Sequence, residues 1–403
     1  MTDTTVRDLV RTSAFILAGG KGERLHPLTE ARPKPAVPFG GKFRIIDFTL
    51  FNCLRSGLSR VSLVTQYKYE ELHRYIREDW SDLWNHTTAF RVPLLCLPPM
   101  SGKRYRGTAD AIFQNVNFVH SGSDFVLVLS GDHIYQMDYW DLIGQHIEAN
   151  AELTLAAVEY PVREAGAFGV IQVDGNFRVT GFEEKPRIPC PLASNPSMAL
   201  VSMGVYVFNK RTLLGVLDLF CGSGNGFDFG HDIIPALIRS SRTYAYDFRD
   251  KTQNAPCYWR DIGTIDAYYA ASMELLQAGS PFDPYSNWAW TSQPIRHPSI
   301  KNRVPVRQSR PRIDARAQVG GSVLSPGVEV EENATVYDSI LMPGVRVGKG
   351  AQLRRVIVEE DVHVPAGFCA GFDIDQDRIR QIATEKGVLV IVQNQVSAAS
   401  RMT

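Results

Sequence analysis

The chain has 403 residues, more than one core ordinarily organises, so two or three domains of about 100–200 residues are expected. Hydrophobic residues make up 44% and charged residues 21%, which excludes disorder as the dominant state. Lys plus Arg and Asp plus Glu both number 43. The resulting zero formal charge argues against nucleic acid or an anionic membrane as the general partner and leaves local basic pockets open.

Met1 to Ser13 is polar, without the apolar stretch of a secretory signal, and no later run approaches the roughly 20 apolar residues of a membrane span. Six scattered cysteines (Cys53, Cys96, Cys190, Cys221, Cys257, Cys369) include no CxxC pair, so neither a zinc ribbon nor a redox motif is readable. This pattern fits a protein of a reducing cytoplasm.

Strands are expected at Ala14–Ala18, Val61–Gln66, Asp124–Ser130, Leu153–Tyr160, Phe168–Val173, Val179–Glu183, Met203–Phe208 and Tyr244–Phe248. Helices are expected at Glu70–Glu78 and Thr108–His120. In the second, Ala109, Ile112, Phe113, Val116 and Val119 keep helical spacing and Thr108 stands where a cap would. Short apolar strands alternating with helices argue for a mainly parallel α/β sheet. Its ligand crevice would lie beyond the carboxyl ends of the strands, in the loops after Ala18, Gln66 and Ser130.

After about Gly279 the pattern changes. Pro281, Pro284, Pro294, Pro298, Pro305 and Pro311 punctuate a stretch without a period, and a repeat of 17 follows. Val328, Val345 and Val362 obey it, as do Val330, Val347 and Val364, and Leu324, Leu341 and Val358. Pro326-Gly327 recurs as Pro343-Gly344. Two hexads and a pentad per step suit a three-sided parallel β-helix of three to four coils, with a chance pattern in a β-sandwich as the alternative. The expected division is a catalytic domain over 1–279, a linker over 280–310, and a β-helix domain with a C-terminal tail over 311–403.

Chemistry concentrates in the first strand's exit, Leu17-Ala18-Gly19-Gly20-Lys21-Gly22-Glu23-Arg24-Leu25. Glycines 19, 20 and 22 let backbone N–H groups approach a phosphate. The spacing is neither a Walker A loop nor the dinucleotide G-x-G-x-x-G. A plain tight turn is the alternative, but Arg24 and Lys34 bracket the loop with cations suited to a triphosphate.

These residues resemble the sugar-nucleotide pyrophosphorylases, whose signature is LAGG-x-G-x-RL followed by a KP pair. Further strings narrow the resemblance to the glucose-1-phosphate adenylyltransferase (ADP-glucose pyrophosphorylase) family. They are Phe39 to Phe48 (FGGKFRIIDF), Thr65-Gln66-Tyr67, Tyr105 to Ala111 (YRGTADA), Ser130 to Tyr135 (SGDHIY), Phe182 to Pro186 (FEEKP), Ser202 to Tyr206 (SMGVY) and Tyr258 to Thr264 (YWRDIGT). The similarity spans nearly the whole chain. It implies a Rossmann-like nucleotidyltransferase domain followed by a left-handed parallel β-helix, and adenylyl transfer from ATP to glucose 1-phosphate with release of pyrophosphate, for glycogen (α-glucan) synthesis.

By the same resemblance, Arg24, Lys34, Asp132, Lys185 and Asp261 are the catalytic set, with Asp132 and Asp261 holding Mg²⁺. ATP would meet Leu17, Ala18, Gly19, Gly20, Gly22, Arg24, Lys34, Gln66, Tyr105 and Gly107. Glucose 1-phosphate would meet Tyr105, Gly169, Glu184, Lys185, Ser202, Tyr206 and Asp228. For Tyr105 the alternative is core packing, and for Asp132 a turn or cap. His133 reads as structural.

Metabolite effectors are implied near Arg32 and Arg44, and a homotetramer is the usual assembly of the family. Four departures bear on regulation: Ala31, Pro38 and Arg104 stand where Lys or Arg, His and Trp are common, and His231 replaces Lys in Asp228-Phe229-Gly230-His231-Asp232. They imply a non-standard or weaker response to fructose 1,6-bisphosphate. Competing readings are a nucleotidyltransferase for another base or sugar, an acyltransferase using His363 on the β-helix, and a catalytically silent regulatory subunit. The last should lack one of the five catalytic residues, and all five are present.

Overall fold

The structure, a computed structural model, describes residues 11–87, 92–100, 103–250, 252–276, 310–373, 377–379 and 382–393. The proline-punctuated segment expected as a linker over 280–310 lies outside the described residues apart from Arg310. The described chain forms two compact units. One comprises Met1–Gly20, Phe48–Tyr69 and Ile76–Trp259, the other Lys21–Asp47, Glu70–Tyr75 and Arg260–Thr403.

The first unit is built on a nine-stranded sheet: β1 Thr12–Leu17, β2 Val61–Val64, β3 Leu95–Leu97, β4 Phe125–Ser130, β5 Leu153–Pro161, β6 Gly169–Val173, β7 Val179–Glu184, β8 Met198–Asn209 and β9 Thr243–Asp247. The main path runs β7-β6-β8-β4-β1-β2-β3, with β5 bound to β8 and β9. Pairings β1·β2, β1·β4, β2·β3 and β5·β9 are parallel, while β8 runs antiparallel to β4, β5 and β6. β1, β2 and β4 are apolar along nearly their whole length because both faces are covered. Phe15, Val126, Val128, Leu155, Phe208, Leu213, Leu217 and Ile233 belong to one buried cluster. Each such side chain contributes about 1.5–3 kcal/mol on burial.

Sequence periodicity overran one helix and fell short of another. The segment expected as Thr108–His120 is helical only over Thr108–Phe113, followed by a single 3₁₀ turn at Val116–Phe118. Asn115 ends it: its side-chain amide donates to the Ala111 carbonyl and to the Tyr105 hydroxyl, a local bond that competes with continued helix. The cap position is Gly107, and the Thr108 hydroxyl instead donates to Asp228 and accepts from the Phe229 N–H. The helix expected over Glu70–Glu78 runs Tyr69–Tyr75, passes through a π turn at Ile76–Trp80, and continues as Ser81–Thr87. Strand β8 begins five residues before its expected start, and β3 is too short and too half-buried to stand out in sequence.

In the second unit the 17-residue step sets the strand register. Glu329 pairs with Arg346 and Arg346 with His363; Leu324 pairs with Leu341 and Leu341 with Val358. Three parallel sheets result, and Val330, Val347, Val364, Val336, Leu353, Leu341 and Val358 fill the space between them. Three columns of corner residues 17 apart have positive φ: Gly327, Gly344 and Asp361; Asn333, Gly350 and Gly367; Gly321, Asp338 and Arg355. This is the left-handed parallel β-helix. Its last turn breaks step: Val358 pairs with Ile391, after an insertion whose Ile382–Ala383 adds an antiparallel strand.

The helix Ile265–Glu274 also belongs to this unit. Its Tyr269 hydroxyl donates to the Asp338 carbonyl, and its Asp266 accepts from Thr384. No helix among the described residues is long and apolar enough to cross a membrane.

Candidate active site

Parallel strands β1, β2 and β4 end side by side, so the loops leaving them meet. Ala18 N–H donates to the Val64 carbonyl at 2.8 Å and Gly131 N–H to the Leu17 carbonyl at 3.1 Å. Gly19 packs so closely on Gln66 that a Cβ there would lie 3.1 Å from the Gln66 Cβ. Gln66 in turn accepts the Tyr105 N–H at 2.5 Å. Leu17, Ala18, Gly19, Gln66 and Tyr105 are thus brought together.

The Tyr105 phenol points inward, donating to the Leu97 carbonyl and accepting from Asn115, and burial raises its pKa. Of the two roles open to Tyr105, its hydroxyl is engaged in packing. Gly107 has a reason to be glycine: a Cβ would sit 2.3 Å from the Phe227 carbonyl oxygen.

Asp132 follows β4. It accepts a short hydrogen bond from the Ser130 hydroxyl, and its carboxylate lies 3.6 Å from His133 Nε2. The other ring nitrogen of His133 is 3.1 Å from the Met203 carbonyl, and the ring stands edge-on to Trp259. A carbonyl only accepts, so the Nδ1 proton is committed there. These contacts fix the orientation of the His133 ring.

The expected sugar-binding residues also gather in the first unit. The Glu184 carboxylate packs against two glycines: a Cβ on Gly169 would be 3.0 Å from it and one on Gly230 2.5 Å. Burial, with the charges of Glu184 and Asp228 adding to it, raises the pKa of Tyr206, whose hydroxyl lies 3.4 Å from that of Ser202. Strand register shifts between Ser202 and Tyr206 at Gly204, which has φ of 67°. Asp228 accepts from the N–H groups of Gly230 and His231 and from the Thr108 hydroxyl, and so fixes its own loop. Lys185 has positive φ, its N–H held by the Phe168 carbonyl, while its ammonium is exposed 3.3 Å from Glu184.

The remaining site residues lie in the second unit. The Gly22 backbone is left-handed, and a Cβ there would meet that of Lys34 at 2.9 Å. Lys34 opens a buried 3₁₀ turn, Lys34–Ala36, and its ammonium donates to Asp261 at 2.8 Å. Gly263 leaves room for two side chains: a Cβ would lie 2.9 Å from the Arg24 guanidinium and 3.0 Å from the Asp261 carboxylate. Two cations and one carboxylate in one place give a local excess of positive charge facing the end of the glycine loop, which suits polyphosphate.

Arg32 and Arg44 are also engaged. Arg32, 6% exposed, has Glu360 at 2.5 Å, Glu71 at 3.5 Å and Glu359 at 3.6 Å. Arg44 donates to Glu71 and to the Ala36 carbonyl, both at 2.7 Å, and lies over the Tyr75 ring.

Sequence reasoning did not single out Gly230 or Gly263 and gave Thr108 only as a helix cap, although all three stand inside motif strings. It also missed Glu71, Glu359 and Glu360, which no motif marks. His363 lies on an exposed face of the β-helix.

Among the described residues no group of three or more His, Cys, Asp or Glu side chains could hold a metal by itself. The donors present are hard carboxylate oxygens, Asp132 in one unit and Asp261 in the other. Either carboxylate, taken within its own unit, fits a divalent cation that accepts a single protein carboxylate and completes its shell from substrate phosphates and water.

Residues 13–278 match the nucleotidyl transferase family, and residues 310–391 the GlmU-like, C-terminal hexapeptide family. The chain is 41% identical to a glucose-1-phosphate adenylyltransferase of Nitrosomonas europaea, with 94% of this chain and 92% of the relative aligned. It is 41% identical to one of Methylobacillus flagellatus (94% and 93% aligned) and 40% identical to glucose-1-phosphate adenylyltransferase 2 of Vibrio cholerae (95% and 98% aligned). With its sheet, its glycine loop and its β-helix all in the aligned region, the chain belongs to the nucleotidyl transferase family, among the glucose-1-phosphate adenylyltransferases.

Proposed function

We propose that this chain transfers the adenylyl group of ATP to glucose 1-phosphate, forming ADP-glucose and releasing pyrophosphate. The observation that carries the reading is the buried Lys34–Asp261 pair with Arg24 beside the same Gly263. It sits in a chain that retains every charged residue the reaction calls for.

The nucleophile needs no activation. A sugar phosphate has a second pKa of about 6, so at neutral pH it is mostly the dianion, and no general base is required. What the protein must supply is in-line placement and neutralisation as two polyanions meet. N–H groups along Gly19, Gly20 and Gly22 receive phosphate oxygens, and Arg24 and Lys34 offset the charge that accumulates on the leaving pyrophosphate. Glu184, Ser202 and Tyr206 orient the hexose hydroxyls, and Gly169 admits it. Lys185, exposed beside Glu184, meets the sugar phosphate.

Asp132 and Asp261 are the carboxylates that would ligate Mg²⁺, which when bound would supply neutralisation of phosphate charge. A cytoplasmic homotetramer supplying an α-glucan pathway completes the reading.

The test is pyrophosphate release from ATP and glucose 1-phosphate by the full chain and by D132A. Turnover by the wild type and a loss of at least about a hundredfold in D132A are expected. Equal rates would return the chain to the regulatory-subunit reading.

A further inference from the structure

The β-helix corners repeat as Ser325-Pro326-Gly327 and Met342-Pro343-Gly344, but the third in that column is Glu359-Glu360-Asp361. There the Pro-Gly pair is abandoned, and Asp361 takes the left-handed conformation at φ of 58° that the two glycines occupied before it. A non-glycine residue in that region costs about 1 kcal/mol, so the corner gives up local stability and, beside Asp361, gains two glutamate carboxylates. The corner is pinned: Glu359 N–H donates to the Ile391 carbonyl and Asp361 N–H to the Pro343 carbonyl, each at 3.0 Å.

Both new carboxylates face Arg32, two residues before Lys34. The contacts then continue. Arg32 faces Glu71, Glu71 accepts from Arg44, and Arg44 donates to the Ala36 carbonyl, the end of the turn that begins at Lys34. Asp47 steadies Arg44 and its neighbour, accepting from the Arg44 N–H at 2.7 Å and from the Tyr75 hydroxyl. The far end of the Lys34 turn is therefore bonded by Arg44, while Arg32, two residues before its start, is held by Glu71 and the two glutamates of the corner. Because Arg32 is buried, losing those partners would leave a guanidinium that neither water nor another base satisfies.

We infer that Glu359 and Glu360 are positioning residues for Lys34: through Arg32, Glu71 and Arg44 they hold the Lys34–Ala36 turn so that the lysine addresses the ATP phosphates. The inference rests on the phosphate role proposed for Lys34. The β-helix thus acts on the catalytic turn with its own side chains.

The experiment measures kcat and KM for each substrate in the full-length wild type, E360Q, E359Q/E360Q, R32K and K34A. Gln keeps the shape of Glu and removes its charge. For E359Q/E360Q, KM for ATP is expected to rise about tenfold while KM for glucose 1-phosphate stays within about twofold, since coupling through such networks is modest. E360Q is expected to shift the same way by less, and it decides the matter if the double variant does not fold. R32K keeps the charge without the planar fork and should fall between wild type and E359Q/E360Q. Unchanged ATP kinetics in both Gln variants, with K34A impaired, would overturn the inference alone. Unchanged ATP kinetics in K34A would overturn the role given to Lys34 itself. Equal rises in both KM values would mark a merely structural contact and also overturn it.

Discussion

Lys34 and Asp261, 227 positions apart in the chain, share a hydrogen-bonded ion pair of 2.8 Å in which the lysine side chain is 7% and the aspartate 17% exposed. Removing one partner of so sheltered a pair takes a charge-assisted hydrogen bond from the other, which costs about 1.5–3 kcal/mol. K34A and D261A are each expected to lower the melting temperature of the ligand-free protein. In K34A/D261A the two losses should fall short of their sum by about 1–3 kcal/mol. Additive losses in thermal or urea unfolding would show that the pair is not coupled.

The Glu184 pocket makes a separable prediction. A Cβ on Gly169 would lie 2.4 Å from Phe182 Cζ and 3.0 Å from Glu184 Oε2. G169A should therefore displace the carboxylate proposed to hold the hexose. KM for glucose 1-phosphate is expected to rise about tenfold, the effect of misplacing a positioning group by a fraction of an ångström. KM for ATP should change little, and steady-state kinetics with each substrate varied would show a wrong prediction as a shared shift.

At the β-helix corners, a Cβ on Gly344 would meet Asp361 Oδ1 at 2.1 Å, on a backbone with φ of 75°. G344A should lose about 2 kcal/mol or more, from left-handed strain plus the clash. In a D361G background the clash is gone and only the strain remains. A double-mutant cycle by denaturation should therefore show a favourable coupling; a cost for G344A that is identical in both backgrounds would refute the geometry.

His146 predicts a pH dependence. It is 1% exposed, with one ring nitrogen 2.8 Å from the Thr154 hydroxyl and the other 3.2 Å from the Asn209 side-chain oxygen. Burial lowers its pKa to about 4 from 6.5, against a smaller raising effect of the Asn209 bond. Between those values the unfolded chain binds a proton that the folded one refuses. The stability present above pH 6.5 is therefore lost as pH falls toward 4, by about 3 kcal/mol in all. H146Q should flatten this part of the pH–stability curve, and a curve of unchanged slope would contradict the assignment.

Much of this was legible in sequence where a period or motif carried it. The 17-residue step gave the strand register directly, because stacked coils bury one aliphatic position per side. It failed beyond Cys369, where an insertion delays the partner of Val358 to Ile391. Helical spacing through Val116 and Val119 concealed the stop at Asn115, since amphipathic periodicity does not report a side chain that captures a backbone carbonyl. The glycine loop and its cations were readable as motif residues. The partners of Arg32 were not: Glu71, Glu359 and Glu360 come from distant segments, and their charge alone resembles any solvated surface.

The central claim is adenylyl transfer to a sugar phosphate, and the most direct measurement is pyrophosphate release with glucose 1-phosphate and magnesium against ATP, UTP, CTP, GTP and dTTP in turn. Release with ATP, at a rate at least about tenfold above that with any other nucleotide, is the expected result. No release with ATP, or an equal or faster rate with another nucleotide, would contradict it.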